Sequence, residues 1–295
     1  MKRDIGMSAW LACILEATAR KPGNVHRFQD FADLSYLDFL VSAGAIASIL
    51  AEARGRRVGA TVLECVRATR KVVATNTNLG IILLLAPLAA VPAEEDLGAG
   101  VRRVLEGLDV EDARLAYEAI RLASPGGLGD APEQDVAGEP TASLREVMTL
   151  AADRDSVARQ YANGYREIFD EGAPVLLAGI ERTGSLEGAI VRAYLWLMAK
   201  TPDTLIARKR GMAVAREAGE LAARVLSLGW PERETGRSEF ARFDDWLRQD
   251  GHARNPGATA DLITAALFVM LRERMIELPS KTQWSADNAF PRAIS

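Results

Sequence analysis

Thr75-Asn76-Thr77-Asn78-Leu79-Gly80, running directly into the apolar stretch of residues 81–91, decides how this chain folds. Two threonines, two asparagines and a glycine stand against a run of nearly all aliphatic side chains. A helix from Ile81 onward is apolar on every side, so it belongs in a core and not at a surface. Its N-terminus then opens inside the protein, with unpaired backbone N–H groups and the positive end of the helix dipole facing the space ahead. An anion is favoured there, and the Thr and Asn side chains add hydrogen-bonding groups. The plainer reading of the same six residues is an N-cap cluster on a core helix.

Outward from this stretch the chain reads as helix after helix. Before it, helical spacing covers residues 5–19, 36–54 (capped by Ser35) and 58–74. The first of these stops at Arg20-Lys21-Pro22-Gly23, and Asn24-Val25-His26-Arg27-Phe28 follows as an ordered loop carrying cations. After it, helices are expected over residues 99–107, 111–123, 144–152, 156–170, 175–182, 185–200, 204–228, 239–249 and 259–274. Strict apolar/polar alternation, hairpin dipeptides between strand-like runs and repeats of fixed length are all missing from the sequence. The expected fold is all-α, one bundle-like domain of a dozen or so helices over residues 1–275, with an irregular surface tail over 276–295.

Composition narrows the function. The chain of 295 residues is 48% hydrophobic and 26% charged, as soluble globular proteins are. A formal net charge of -4 argues against a general nucleic-acid binder. Residues 81–91 are too few to span a bilayer, and Pro87 interrupts them. Cys13 and Cys65 sit in apolar surroundings outside any metal-ligand spacing, which suits a reducing cytoplasm. The expectation is a cytoplasmic protein acting on small molecules, with no nucleic-acid or membrane partner, assembled as a homodimer.

Five polar, glycine-bearing stretches punctuate the helices: residues 21–27, 75–80, 126–135, 203–211 and 255–261. Each lies at a helix end, where bundle proteins place ligand groups. Together they hold a lysine, several arginines, two asparagine-threonine clusters and at least four acids. That inventory suits a polyphosphate gripped by cations and backbone amides, with a magnesium ion on carboxylates. Singly, each has a bland alternative: a helix stop at Lys21-Pro22-Gly23, a solvated face at Arg208-Lys209-Arg210, a turn at Asn255-Pro256-Gly257. His26 and His252 are too isolated for a zinc site, and no Ser-His-Asp elbow, Walker loop or dinucleotide fingerprint is present.

The order of these pieces resembles the ATP:dephospho-CoA triphosphoribosyl transferases. The matching residues are Glu16 with Lys21-Pro22-Gly23 and Val25, Thr75-Asn76-Thr77 with Gly80, the glycine loop near Gly127, Leu197-Met198 with Asp203-Thr204 and Arg208, and Asn255-Pro256-Gly257 with Ala260-Asp261-Leu262. Three departures stand out. His26 replaces an aspartate, Asn78-Leu79 replaces His-Lys, and residues 127–135 replace an arginine-glycine-glutamate loop. The resemblance implies an all-helical enzyme that takes ATP as substrate and displaces its adenine with an acceptor hydroxyl, leaving the triphosphate on the transferred ribose. It also implies sites. Lys21, His26, Arg27, Thr75, Asn76, Thr77, Asn78, Arg208 and Asn255 would bind substrate and phosphate; Asp203, Asp261, Glu133 and Asp135 would carry the acid-base chemistry; and Asp130, Asp203 and Asp261 would hold Mg2+. Residues 126–135 would act as a lid closed by the metal-triphosphate complex. Divergent members occur near one-carbon cofactor genes, which implies a related transfer in tetrahydromethanopterin-type cofactor synthesis. Two rival expectations are a metal-dependent nucleotide or phosphate-ester hydrolase and a catalytically silent helical nucleotide-binding protein.

Overall fold

A computed structural model describes residues 4–125, 133–276 and 284. Fourteen α-helices follow one another among them: α1 (Ile5–Thr18), α2 (Tyr36–Ala51), α3 (Val58–Val72), α4 (Leu79–Ala90), α5 (Leu97–Glu106), α6 (Val110–Ala123), α7 (Leu144–Ala151), α8 (Ser156–Asn163), α9 (Ala173–Thr183), α10 (Leu186–Lys200), α11 (Thr204–Arg210), α12 (Met212–Ser227), α13 (Glu234–Arg248) and α14 (Gly257–Arg272). A single π-helical turn, Ile168–Gly172, leads into α9. The described residues form no strand, only two isolated bridges in the loop before α2, so the all-α expectation holds.

The apolar run is the centre of the molecule. Every residue of α4 from Ile81 to Ala89 is buried, and from Ala258 to Arg272 only Asp261 on α14 is not. The two core helices pack on each other, α14 also against α1, α8, α9, α10 and α11, and α4 also against α2, α3, α5 and α8. Pro87 lies inside α4 and lacks the N–H that would have met the carbonyl of Leu83. Tyr161 supplies the missing donor, its hydroxyl bonding Leu83 O at 2.7 Å, and Tyr165 donates to Leu84 O at 2.8 Å. At the far end of α4 the fully buried guanidinium of Arg272 donates to the carbonyls of Leu88, Val91 and Pro92. Protein groups therefore meet carbonyls in the middle and at the end of this helix, while its N-terminus opens on a cavity.

Two expected long helices are each broken by left-handed residues. Residues 156–170 are interrupted after Asn163, where Gly164 and Tyr165 both have positive φ (71° and 64°). Residues 204–228 divide at Gly211, whose φ of 91° is closed to other side chains. That break turns α11 so that Arg208 and Lys209 project toward the N-termini of α4 and α14. Of the expected tail, Trp284 is described: its carbonyl accepts the N–H of Glu187 at 2.8 Å. The other residues from 277 on lie outside the described ones. No helix among the described residues is long and apolar enough to cross a membrane.

Candidate active site

A cavity of about 650 Å³ opens where the N-termini of α4 and α14 meet the last turn of α1, with α11 on one flank and α6 and α7 on the other. That volume is in the range of small-molecule sites. All five polar stretches named above contribute to its lining, through Asn24 and Val25, residues 75–80, residues 133–135, Arg208 with Lys209, and Asn255 with Asp261.

The open N-terminus of α4 forms its floor. Asn76 Oδ1 accepts the N–H of Leu79 at 3.1 Å, and no acceptor serves the N–H groups of Gly80 or Ile81 among the described residues. Thr77 and Asn78 line the cavity but are tied behind it, Thr77 to Ser42 Oγ at 2.6 Å and Asn78 to Thr69 Oγ1 at 3.2 Å. Thr75 Oγ1 is buried without a partner, and so are Asn255 Oδ1 and Arg208 Nε. Three orphaned polar atoms on three separate segments around one cavity mark a place where a ligand completes the hydrogen bonding.

Asp261 stands over this floor from α14. A Cβ on Gly80 would lie 2.0 Å from its Oδ2, so only glycine lets the carboxylate approach the start of α4 this closely. The carboxylate has no hydrogen-bond or ion-pair partner among the described residues. Burial first, then the charges of Glu16, Asp203 and Asp155, push its pKa well above the usual carboxylate range. Arg208 works weakly the other way, because its guanidinium is already engaged by Asp155 at 2.9 Å. Lys209, beside it, has its pKa lowered by burial and by Arg208, so it too needs an anion to stay charged comfortably.

Four residues expected in the site stand outside the lining, for identifiable reasons. Lys21 is 1% exposed, with Nζ 3.0 Å from Glu16 Oε1 and bonded to the carbonyls of Glu16 and Ala19; the lysine sits one layer behind, and Glu16 lines the cavity. Arg27 is consumed by Glu187, at 2.8 and 3.0 Å, and by Thr18 O at 2.8 Å. His26 is buried among Lys21, Arg248, Arg20 and Arg27, and burial with those cations pushes its pKa down to about 3, so it carries no charge for phosphate. Asp203 caps α11, accepting from Leu205 N and Ile206 N, and ties down α14 through Thr259 N and Oγ1, both at 2.7 Å. Its oxygens are all engaged. The residues expected to meet substrate or metal therefore divide: Asn76 and Asp261 line the cavity, while Lys21 and Asp203 stand outside its lining.

The metal expectation fares similarly. Asp130 lies outside the described residues, Asp203 is fully hydrogen-bonded, and no group of three acids or histidines capable of holding an ion occurs among the described residues. The described residues by themselves build no resident magnesium site. The expected lid falls largely outside the described residues; within it Glu133 and Asp135 line the cavity, and Gln134 is pinned by the hydroxyl of Tyr117 and by Thr141. Sequence reasoning left Arg70, Arg154 and Lys209 out of the site although all three line the cavity, together with an apolar wall from Ile120, Val147 and Met148. Lys209 was in plain view inside the Arg208–Arg210 run; Arg70, in the last turn of α3, and Arg154, in the turn between α7 and α8, carry no local signal that separates them from the other surface arginines.

This geometry can hold an anion on helix N-termini and cations, and can offer a proton from an unpaired carboxyl group beside it. A family model described as ATP:dephospho-CoA triphosphoribosyl transferase matches residues 2–280. The 2-(5''-triphosphoribosyl)-3'-dephosphocoenzyme-A synthase of Klebsiella pneumoniae is 26% identical over 194 residues, which is 66% of this chain. The chain spans 60% of that relative's length. A crystal structure from Archaeoglobus fulgidus, provisionally assigned as a triphosphoribosyl-dephospho-CoA synthase, covers 79% of this chain and 98% of its own, with a TM-score of 0.62 and 29% identity.

Proposed function

The chain belongs to the ATP:dephospho-CoA triphosphoribosyl transferase family, and on that premise we propose that its cavity moves a triphosphoribosyl group from ATP to a hydroxyl of a dephospho-CoA-type cofactor precursor, with release of adenine. The observation that carries this reading is the convergence of Thr75 Oγ1, Asn255 Oδ1 and Arg208 Nε, all without partners, on the cavity that also holds the unpaired Asp261 carboxyl group. A polyphosphate and a leaving base are the two things such a set needs.

In this mechanism the triphosphate lies against the start of α4, where two backbone N–H groups are free, with Thr75, Asn76, Arg208 and Lys209 around it. It needs only to be held, because no phosphoryl bond breaks. The bond that breaks joins C1′ of the ribose to N9 of adenine, and the electron pair leaves with the base. Asp261 holds the proton that makes adenine a better leaving group, and the upward shift of its pKa favours the protonated carboxyl. The apolar wall of Ile120, Val147 and Met148 keeps water away from the cationic ribosyl centre. Magnesium enters this reading with the triphosphate, on the substrate's own oxygens. The setting is the cytoplasm, where the buried thiols Cys13 and Cys65 stay unpaired.

The test is to incubate the protein with magnesium, ATP and dephospho-CoA and to separate the products. Free adenine supports the reading. Release of inorganic phosphate without adenine, or ATP left intact, would set it aside.

A further inference from the structure

The transfer proposed above needs a base as well as an acid, since the attacking hydroxyl must lose its proton. We infer that Glu16 is that base and that Lys21 is the positioning residue that keeps it ionised. This inference rests on the triphosphoribosyl-transfer reading and adds to it the group that activates the acceptor.

The argument starts from how Lys21 is buried. An ammonium group taken out of water needs its charge balanced and its protons bonded. Lys21 has both from one neighbour, Glu16, whose carboxylate and backbone carbonyl it contacts, with Ala19 O as the third acceptor. No donor of Lys21 remains for a substrate. Glu16 differs: it is the one acid of α1, near that helix's C-terminal end, and it is among the residues that line the cavity. The lysine thus fixes the glutamate by one oxygen and by charge, and the glutamate presents the carboxylate to the cavity.

The cavity then contains two carboxyl groups in different electrical settings. Glu16 has the Lys21 ammonium 3.0 Å from its Oε1; Asp261 has no ion-pair partner among the described residues and feels the charge of Glu16. Negative charge on one opposes charge on the other, and the ion pair with Lys21 favours its placement on Glu16. Burial raises the pKa of Glu16 by more than Lys21 lowers it, and the net upward shift makes the carboxylate a stronger base than a solvated one. The other titratable groups that act on it are Cys13 on its own helix and Tyr194 on α10, both buried with pKa values pushed far up, and so both neutral.

The steps balance. The acceptor hydroxyl forms the C1′–O bond and gives its proton to Glu16. The C1′–N9 bond breaks, and adenine leaves with the proton from Asp261. One proton passing from Glu16 to Asp261 resets the site, and no oxidant, reductant or further reactant is required.

Azide separates base catalysis from structure, because it is already an anion and attacks without deprotonation. The experiment measures adenine release from ATP by wild type and Glu16→Gln, first with dephospho-CoA and then with azide in its place, and checks ATP affinity by calorimetry. The expected result is a loss in kcat on the order of a hundredfold or more for Glu16→Gln with dephospho-CoA, ATP affinity within about threefold of wild type, and azide-driven release near the wild-type rate. In Lys21→Met the acid limb of the kcat/KM profile moves to higher pH, since Glu16 loses the charge that keeps it ionised. Should Glu16→Gln fold poorly, the double variant Glu16→Gln/Lys21→Met removes the unpaired ammonium and carries the same azide comparison. The inference is overturned if Glu16→Gln turns over normally with dephospho-CoA, or if it binds ATP but azide fails to restore release that azide supports in wild type. Wild type that releases adenine with neither dephospho-CoA nor azide overturns the transfer reading and this role together.

Discussion

Gly80→Ala is the substitution whose consequences the structure fixes most tightly. The added methyl carbon would lie 2.0 Å from Asp261 Oδ2, where ordinary contact begins near 3.4 Å. The carboxyl group must therefore retreat by about 1.4 Å, the difference between those distances. It can do so, being the free end of a side chain with space on its cavity side. Folding is barely affected: alanine favours a helix over glycine by ~1 kcal/mol, and an off-rotamer Asp261 costs roughly 0.5–1.5 kcal/mol. Catalysis is not spared, because a misplacement of about 1 Å in a reacting group costs on the order of a hundredfold. Adenine release and thermal unfolding, measured on the same preparation, check both halves. A Gly80→Ala protein within about threefold of wild-type activity would refute the placement of Asp261 in the chemistry; so would an activity loss that merely tracked a loss of folded protein.

Asp261→Asn should lower kcat by about a hundredfold or more and leave the unliganded protein at least as stable as wild type near neutral pH, as denaturant titration would show. The pH dependence follows from the same residue. A carboxyl whose folded pKa is raised binds more protons in the native state, so its contribution to stability is present at low pH and lost as pH rises through the raised value; Asp261→Asn should flatten that part of the stability curve. Asp203→Asn should behave oppositely, costing about 1–3 kcal/mol of stability through the α11 and α14 contacts while the folded fraction keeps most of its turnover. Glu187→Gln strands Arg20 and Arg27 together and should cost roughly 3–5 kcal/mol in the same titration. The ring of His26 should stay neutral by NMR from pH 8 down to about pH 4, in line with its pKa pushed down to about 3; titration near pH 6 would mean that the surrounding cations are placed wrongly.

How much of this was legible beforehand varies with the range of the forces involved. The core helix was, since eleven successive residues with hardly a polar atom have no place at a surface, and its start was misjudged by only two residues. A helix start dictated by local chemistry, such as the Ser35 cap, could also be read from the chain. The breaks at Tyr165 and Gly211 could not. Each interrupts a pattern whose periodicity runs on unbroken, and the reason lies in what the next segment packs against. Within the site, the polar stretches were found because they sit at helix ends, but the division of labour inside each was hidden. Lys21 and Glu16 look alike as candidates on paper; burial decides that the lysine faces the carboxylate and the carboxylate faces the cavity. Arg27 and Asp203 were expected to meet substrate because charged residues in loops often do, and each turned out to be satisfied by a partner more than fifty residues away.

The measurement that bears most directly on the central claim is a crystal structure of the protein with magnesium and ATP. The triphosphate should lie against the start of α4 within hydrogen-bond reach of Thr75 and Arg208, with the ribose turned so that the glycosidic nitrogen faces Asp261 at about 3 Å. Nucleotide bound elsewhere on the surface, or in this cavity with its γ-phosphate and not its glycosidic bond at Asp261, would contradict the account.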